Sequence, residues 1–494
     1  MRDRLSRKVA GHAVQECRPI LAFITLDDRP YGCCGYRRGW LRLHASILVP
    51  ATPRASASRQ PGPRPAVNAA AFVGHGELAF VSRGHLWVLD GRTGALHQVA
   101  TPGMAPLDPA FSPDGRWLAF LASSPSASEY AVWLASGDGS SAHKIANSGG
   151  LVGWSPAADI LAVTAGDSIR LVRSAGFSRT LLHARGISSA AWSPDGSSVA
   201  VSVSSVSAGT LASYPLSGGQ PTVWLRLPAR GGMNYVIDLA GWWRPLGIGF
   251  WAGGNCASCN ADGDPFYIIL MPGSRPRLRG TTLADPSLDQ VAAASNGRLA
   301  IVAETRGPGM GGRLIWQDRA VKVCGPAAAA CTAVALPASD VTLDPAWSPN
   351  GTQLAFVRAP FRASAGFPQK VVAAWYGAHQ LWLYQQPGRP IRKLNANGAS
   401  VPIWSPNGNS LIYVARDDIW LLPRLNGQPV RIAGPLYPPA SWPAFYGQVK
   451  WASQLAGRLS TGKSSGPASS RGGRASKWRS ARTRDSGTDR ESPR

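Results

Sequence analysis

One short pattern returns along this chain every few tens of residues, and nothing else in the sequence restricts the fold as tightly. Its full form is an aromatic residue, Ser-Pro, Asp or Asn, Gly, and then an apolar run. The clearest copies are Phe111-Ser112-Pro113-Asp114-Gly115, Trp192-Ser193-Pro194-Asp195-Gly196, Trp347-Ser348-Pro349-Asn350-Gly351 and Trp404-Ser405-Pro406-Asn407-Gly408. Anchored on the residue before Ser-Pro, eight copies start at Phe72, Phe111, Trp154, Trp192, Trp242, Ala294, Trp347 and Trp404, at intervals of 39, 43, 38, 50, 52, 53 and 57 residues. The copies at Phe72, Trp242 and Ala294 are degenerate. A period of this length belongs to stacked units that cannot bury their apolar faces alone.

Each anchor precedes a short apolar run bounded by turn residues, such as Leu118-Ala119-Phe120, Val199-Ala200-Val201 or Leu354-Ala355-Phe356. Short, turn-bounded runs rich in β-branched and aromatic residues read as strands. The middle position is Ala or Gly in every copy except Leu411-Ile412-Tyr413, a column of small residues that suits strands crowded around one axis. A third segment follows in most units, for example Leu86-Trp87-Val88-Leu89 or Leu381-Trp382-Leu383, and a more polar fourth closes the unit, as in Ile391-Arg392-Lys393-Leu394. Four short antiparallel strands per repeat predict an all-β propeller of eight blades, or seven if the unit at Phe72 is incomplete. The segment Gly447–Ala452 is placed to complete the first blade and latch the ring. The Ser-Pro-Asp-Gly element itself reads as a tight turn: Pro presets φ, Asp or Asn tolerates left-handed geometry, and Gly supplies positive φ.

These motifs resemble the PD40 (WD40-like) repeats of the TolB-type β-propeller family, over residues 67 to 451. The resemblance implies an extracytoplasmic binding protein with cell-envelope partners such as peptidoglycan-associated lipoproteins. It departs from that family's pattern in having eight units rather than six, and in lacking helix–strand alternation before the repeats. Fold and function separate readily in such architectures.

The formal charge of +24 raises the question of nucleic acid or anionic membranes. Residues 1–66 carry +8 and residues 452–494 carry +7, leaving +9 on the repeats. The excess sits at the ends, and the repeats do not present a nucleic-acid face. Residues 1–66 read as a poorly ordered basic extension with a Pro/Ala/Ser linker, 67–456 as the propeller, and 457–494 as a disordered Ser/Gly/Arg tail. No run of 18 apolar residues predicts a membrane-spanning helix. A basic pair, Arg37-Arg38, precedes an apolar stretch from Trp40 to Val49, but Arg42 and His44 interrupt it, so no clear signal peptide is read.

Four of the seven cysteines lie in the repeats: Cys256 with Cys259, and Cys324 with Cys331. The strand assignment puts the first pair between the second and third strands of unit five. It puts the second between the third and fourth strands of unit six. Strands alternate in direction, so those two loops leave opposite faces and the four thiols do not converge on a zinc ion. Cys324–Cys331 is therefore expected as a disulfide closing a hairpin, and Cys256–Cys259 as a local disulfide or free pair. Disulfides favour an oxidising compartment, periplasmic or otherwise extracytoplasmic.

No catalytic constellation emerges. Gly457 through Ser464 satisfies the phosphate-loop spacing, but Ser465-Gly466-Pro467 cannot open the helix that motif requires. Gly462-Lys463-Ser464-Ser465-Gly466 mimics a nucleophile elbow without the flanking strand and helix. Asn260-Ala261-Asp262-Gly263-Asp264 lacks the later Glu of a calcium loop. His379 reads as a loop or rim residue. No cofactor and no metal are expected.

Most of the nineteen tryptophans recur at fixed blade positions and read as packing between blades. The irregular ones are Trp242, Trp243, Trp251 and Trp375 with its neighbour Tyr376; of these Trp242, Trp243, Trp375 and Tyr376 are the candidate binding surface, since Trp and Tyr concentrate at binding hot spots. The sequence points to a monomeric, non-enzymatic module for a protein or peptide partner. A propeller enzyme with a channel site, hydrolase or lyase, and anionic-surface binding through the basic ends are the alternatives.

Overall fold

The computed structural model describes residues 63–124, 129–173, 178–205, 208–228, 235–254, 264–282, 291–304, 319–326, 331–334, 337, 339–361, 369–385, 389–436 and 447–452. They form eight antiparallel sheets arranged as a ring, six of them of four strands in consecutive order and two completed by strands from the ends of the described chain. Blade 2 shows the plan: Ala105–Phe111, Trp117–Ser123, Tyr130–Ser136 and His143–Ala146. The first strands of neighbouring blades lie against one another, which makes this strand the innermost in each blade.

The anchor aromatic ends the innermost strand and pairs with the first apolar residue of the second: Phe111 with Leu118, Trp192 with Val199, Trp404 with Leu411. Between them runs the expected turn. In blade 2 the Ser112 hydroxyl donates to Asp114 at 2.6 Å and accepts from the Trp117 amide at 3.0 Å, while Gly115 sits at φ 72°. Blades 4, 7 and 8 repeat this with Ser193–Asp195, Ser348–Asn350 and Ser405–Asn407, each at 2.7 Å. Only a short side-chain acceptor two residues on from serine closes that ring, which is why the position is Asp or Asn.

The core lies between blades rather than within them. Leu121, Val132 and Leu134 of blade 2 pack on Leu161 and Val163 of blade 3. Trp192 and Val201 of blade 4 pack on Ala162 and Leu171 of blade 3. One larger cluster joins blades 6, 7 and 8 through Val321, Phe356 and Tyr413. The small middle residue of the second strand is a fully buried alanine in six blades; in blade 5 it is buried Gly249, where a Cβ would collide with the Trp243 and Phe266 rings at 2.4 and 2.9 Å.

Both ends of the described chain close the ring. The strand Val449–Ala452 supplies the innermost strand of blade 1, pairing with Glu77–Ser82, as the latch reading anticipated. The strand Ala66–Val67 adds to the outer edge of blade 8, pairing with Gly434 and Ala433.

Two anchor assignments need correction. Blade 1's anchor is Trp451, which pairs with Leu78 as Phe111 does with Leu118. Phe72 instead ends a short helix, Ala69–Phe72, and fills the seam between blades 8 and 1 beside Leu436 and Ile419. In blade 6 the residue opposite Leu299 is Ala293, and Ala294 takes the serine's place in the turn.

A chain ending at Gln448 loses the inner strand of blade 1 and its Trp451. It is expected to be less stable than one ending at Ala452 by about 3 kcal/mol or more, the scale for removing a packed tryptophan. Urea unfolding of the two truncations checks this, and equal midpoints would contradict the closure described here.

Candidate functional site

The axis is the place where chemistry from several blades can converge, so the innermost strands are the first place to look. In blade 2 the sequence Leu107-Asp108-Pro109-Ala110 precedes the anchor, and in blade 7 the same four residue types recur as Leu343-Asp344-Pro345-Ala346. Proline has no N–H to give to the ladder, so the register breaks there, between Leu107 and Ala110 and between Leu343 and Ala346. Blade 8 breaks likewise at Val401-Pro402. The residue before each proline takes a left-handed conformation: φ is 49° at Asp108 and Asp344 and 51° at Val401. For a β-branched valine that is a strained geometry, held by its surroundings.

Blades 7, 8, 1 and 2 are consecutive in the ring, so these residues form an arc around half of the axis. Asp344 is fully buried, and its carboxylate accepts the Val401 amide of the next blade at 3.1 Å. Asp108 and Gln448 are half-buried; the Gln448 amide nitrogen lies 3.5 Å from the Asp108 carboxylate. A Cβ at position 447 would come within 2.5 Å of that carboxylate, and Gly447 sits at φ 73°. Across the ring the same inner-strand position is Ser189, whose hydroxyl accepts the Leu239 amide of blade 5 at 2.8 Å.

His379 is fully buried, which corrects the rim placement expected from its sequence surroundings. Its Nδ1 lies 3.0 Å from the Ser400 hydroxyl, itself buried at the start of blade 8's inner strand. The rings of Trp375 and Tyr376 stand 4.3 and 4.8 Å away. Burial holds the imidazole pKa down at about 3, a backbone bond to Ala399 acting the other way. The ring is therefore neutral at physiological pH and positions the entry to blade 8.

The four aromatic candidates do not come together. Trp242 and Trp243 end the inner strand of blade 5, toward the turn face, and both are half-buried. Trp242 meets Trp224 edge-on at 5.0 Å, while Trp243 lies over Gly241 and Gly249. Trp375 and Tyr376 sit in the helix Gln369–Gly377, between the second and third strands of blade 7 and so toward the opposite face. Trp375 is buried, its indole N–H donating to Pro360 at 2.9 Å, and Tyr376 is half-buried. Cys324 and Cys331 are joined by a disulfide across the outer pair of strands in blade 6; Cys256 and Cys259 lie outside the described residues. Among the described residues no three His, Cys, Asp or Glu side chains are grouped to hold a metal ion. None of the described helices is long and apolar enough to cross a membrane. A peripheral groove of about 260 Å³ between blades 3 and 4 is lined by Leu171, Arg173, Arg179 and Leu216, with Arg179 donating to the Leu216 carbonyl at 2.7 Å.

The sequence reading missed the axial Asp-Pro pairs. Their signal was the repeated Leu-Asp-Pro-Ala immediately before two anchors, overshadowed by the turn motif that follows.

No protein-family model matches the chain, and no curated protein matches it. In shape it is similar to a eukaryotic initiation factor structure, at 14% identity and a TM-score of 0.48, covering 78% of this chain and 91% of that one. It is also similar to an oligogalacturonate lyase in complex with manganese, at 12% identity and a TM-score of 0.39, covering 72% and 85%. A third is TolB from Acinetobacter baumannii, at 13% identity and a TM-score of 0.34, covering 73% and 64%. At these identities the likeness is to the propeller fold alone.

Glu77 opens the second strand of blade 1, opposite Asp90 on one side and Ala452 of the closing strand on the other. It is 2% exposed, and burial together with the neighbouring Asp90 pushes its pKa up to about 7 from an ordinary 4.5. The unfolded chain releases this proton near pH 4.5 and the folded one near 7. Stability therefore falls as pH rises through that window, and the loss is complete above it. Glu77→Gln is expected to stabilise by about 1–2 kcal/mol at pH 8 and to be neutral at pH 4. Thermal melts at both values decide it: an equal gain at both would rule out ionisation of Glu77 as the cause.

Proposed function

We propose that this chain is a non-enzymatic propeller, exported or associated with the cell envelope, that binds a protein or peptide at one face of the ring or at the mouth of its channel. The observation that carries the reading is the use made of the polar groups near the axis. Asp344 and Ser189 each accept a backbone amide of the next blade, and Ser400 is engaged by buried His379. Groups that a channel enzyme would aim at a substrate are here spent on joining blades. Asp108 with Gln448, half-exposed near the axis, is a hydrogen-bonding pair suited to a peptide backbone or side-chain amide.

The Cys324–Cys331 bond supports an oxidising compartment. The basic ends, residues 1–62 and 453–494, lie outside the described residues; in this reading they do not carry recognition.

Panning phage-displayed linear peptides on the full chain tests the proposal. It is expected to enrich sequences that bind with a Kd of roughly 1–100 µM, and that still bind once residues 1–62 and 453–494 are removed. Enrichment of nothing, together with turnover of an oligosaccharide or peptide by the purified protein, would replace this reading with a channel enzyme. Binding that vanishes with the ends would assign it to them instead.

A further inference from the structure

Four large apolar side chains are exposed among the described residues, and three of them share one stretch of the rim: Val223 at 38%, Met271 at 64% and Leu278 at 56%. Val223 lies on the outermost strand of blade 4, Thr222–Pro228, and Leu278 on the outermost strand of blade 5, Arg277–Thr282. Met271 opens the turn that leads into the latter. That turn is fastened to blade 4, because the Gly273 amide donates to the Trp224 carbonyl at 3.1 Å. Trp224 in turn meets Trp242 of blade 5 edge-on. The turn that carries Met271 is thus held against the outer strand of blade 4.

The charges on the two stretches that carry Val223, Met271 and Leu278 are all positive. Arg226, Arg275 and Arg277 are exposed, residues 217–228 and 271–282 contain no Asp or Glu, and no carboxylate pairs with these three arginines among the described residues. The outer strand of blade 5 ends its sheet, with one edge unpaired among the described residues. Such an edge is a template for an added strand. This molecule already uses one: the outer edge of blade 8 takes Ala66–Val67 as an antiparallel fifth strand.

We infer that the outer edge of blade 5 docks an extended acidic segment of a protein partner. Its backbone pairs with Arg277–Thr282, its carboxylates meet Arg275 and Arg277, and its alternate aliphatic side chains cover Leu278 and Met271. Period-2 alternation explains the combination: one face of an added strand presents charge while the other presents apolar surface. The inference rests on the binding-module reading and adds a site on the rim to it.

Peptides panned on the full chain are expected to alternate Asp or Glu with Leu, Ile or Val. Binding should weaken on the order of tenfold in the Arg275→Glu/Arg277→Glu variant and again in Leu278→Ser, and should weaken as salt rises. All three positions are exposed, so circular dichroism and melting temperature are expected to match the parent. A photo-crosslinking residue at position 278 should capture the peptide, whereas one at position 73, the fourth exposed apolar site, should not. Capture at 73 with none at 278, or unchanged affinity in the charge-reversed variant, would overturn the rim site and leave the binding-module reading standing. Failure to enrich any peptide would remove both. Dimerisation of the parent chain that Arg277→Glu abolishes would show the occupant to be a second copy, and would overturn the acidic-partner inference as well.

Discussion

Everything in this structure depends on how one blade holds the next, because no blade has a core of its own. Apolar burial supplies the attraction, but it has no direction and does not set the angle between sheets. Direction comes from a hydrogen bond repeated at four of the eight blades. The anchor indole donates to the backbone carbonyl just before the preceding blade's anchor: Trp154 to Ala110 at 2.9 Å, Trp192 to Gly153 at 2.8 Å, Trp347 to Ala292 at 3.1 Å and Trp404 to Ala346 at 2.9 Å. A carbonyl in the innermost strand would otherwise be buried with one side unserved, which is costly. The tryptophan thus fills the seam and satisfies the backbone in one side chain. Blade 2 has Phe111 at this place, so the ring form alone keeps the architecture and the indole N–H adds to it.

A second bond of the same kind acts further along the inner strand, three residues before the anchor. Ser189 accepts the amide of Leu239, and Asp344 accepts that of Val401, the corresponding residue of the next blade in each case. The strained residues Asp108, Asp344 and Val401 sit at this level, in the arc where the chain also closes on itself. Left-handed backbone at an aspartate or valine persists only when neighbours over-determine it. Here the neighbours are the adjacent blades, as where Asp344 of blade 7 accepts the Val401 amide of blade 8.

How much of this was legible depends on the range of the interaction. The turn is local: Ser, Asp or Asn, and Gly within five residues carry all of its bonds, and the sequence displays them openly. Blade number and the Cys324–Cys331 bond follow from strand order, which a short repeat also displays. The anchor of blade 1 does not. Trp451 reaches Leu78 across the entire ring, and Phe72, near the expected spacing, offered a local substitute that the structure uses as a wedge. His379 was misplaced for a related reason. A polar residue in an irregular segment looks exposed until Trp375, Tyr376 and Ser400, from a helix and the next blade, are known to close over it. The axial site was half-visible, since Leu-Asp-Pro-Ala occurs twice, but its meaning lies in a register break that only pairing reveals.

Blade 5 departs furthest from the repeat, and the departures are linked. It lacks the Ser-Pro-Asp-Gly turn, running Trp243-Arg244-Pro245-Leu246-Gly247 instead, and Arg244 reaches back to Asp195 in the turn of blade 4 at 3.4 Å. Trp243 folds over Gly241 and Gly249, which have shed their side chains to admit it. Trp242 turns toward Trp224 on the outer strand of blade 4 rather than making the indole-to-carbonyl bond found at the other tryptophan anchors of blades 3, 4, 7 and 8. Joining blades 4 and 5 therefore falls to Ser189 near the axis and to Trp224 on the outer strand of blade 4. The outer strand of blade 5 holds Leu278 and Arg277 outward. In a repeat architecture, a copy that breaks the common pattern while keeping its packing is where surface can diverge without loss of fold.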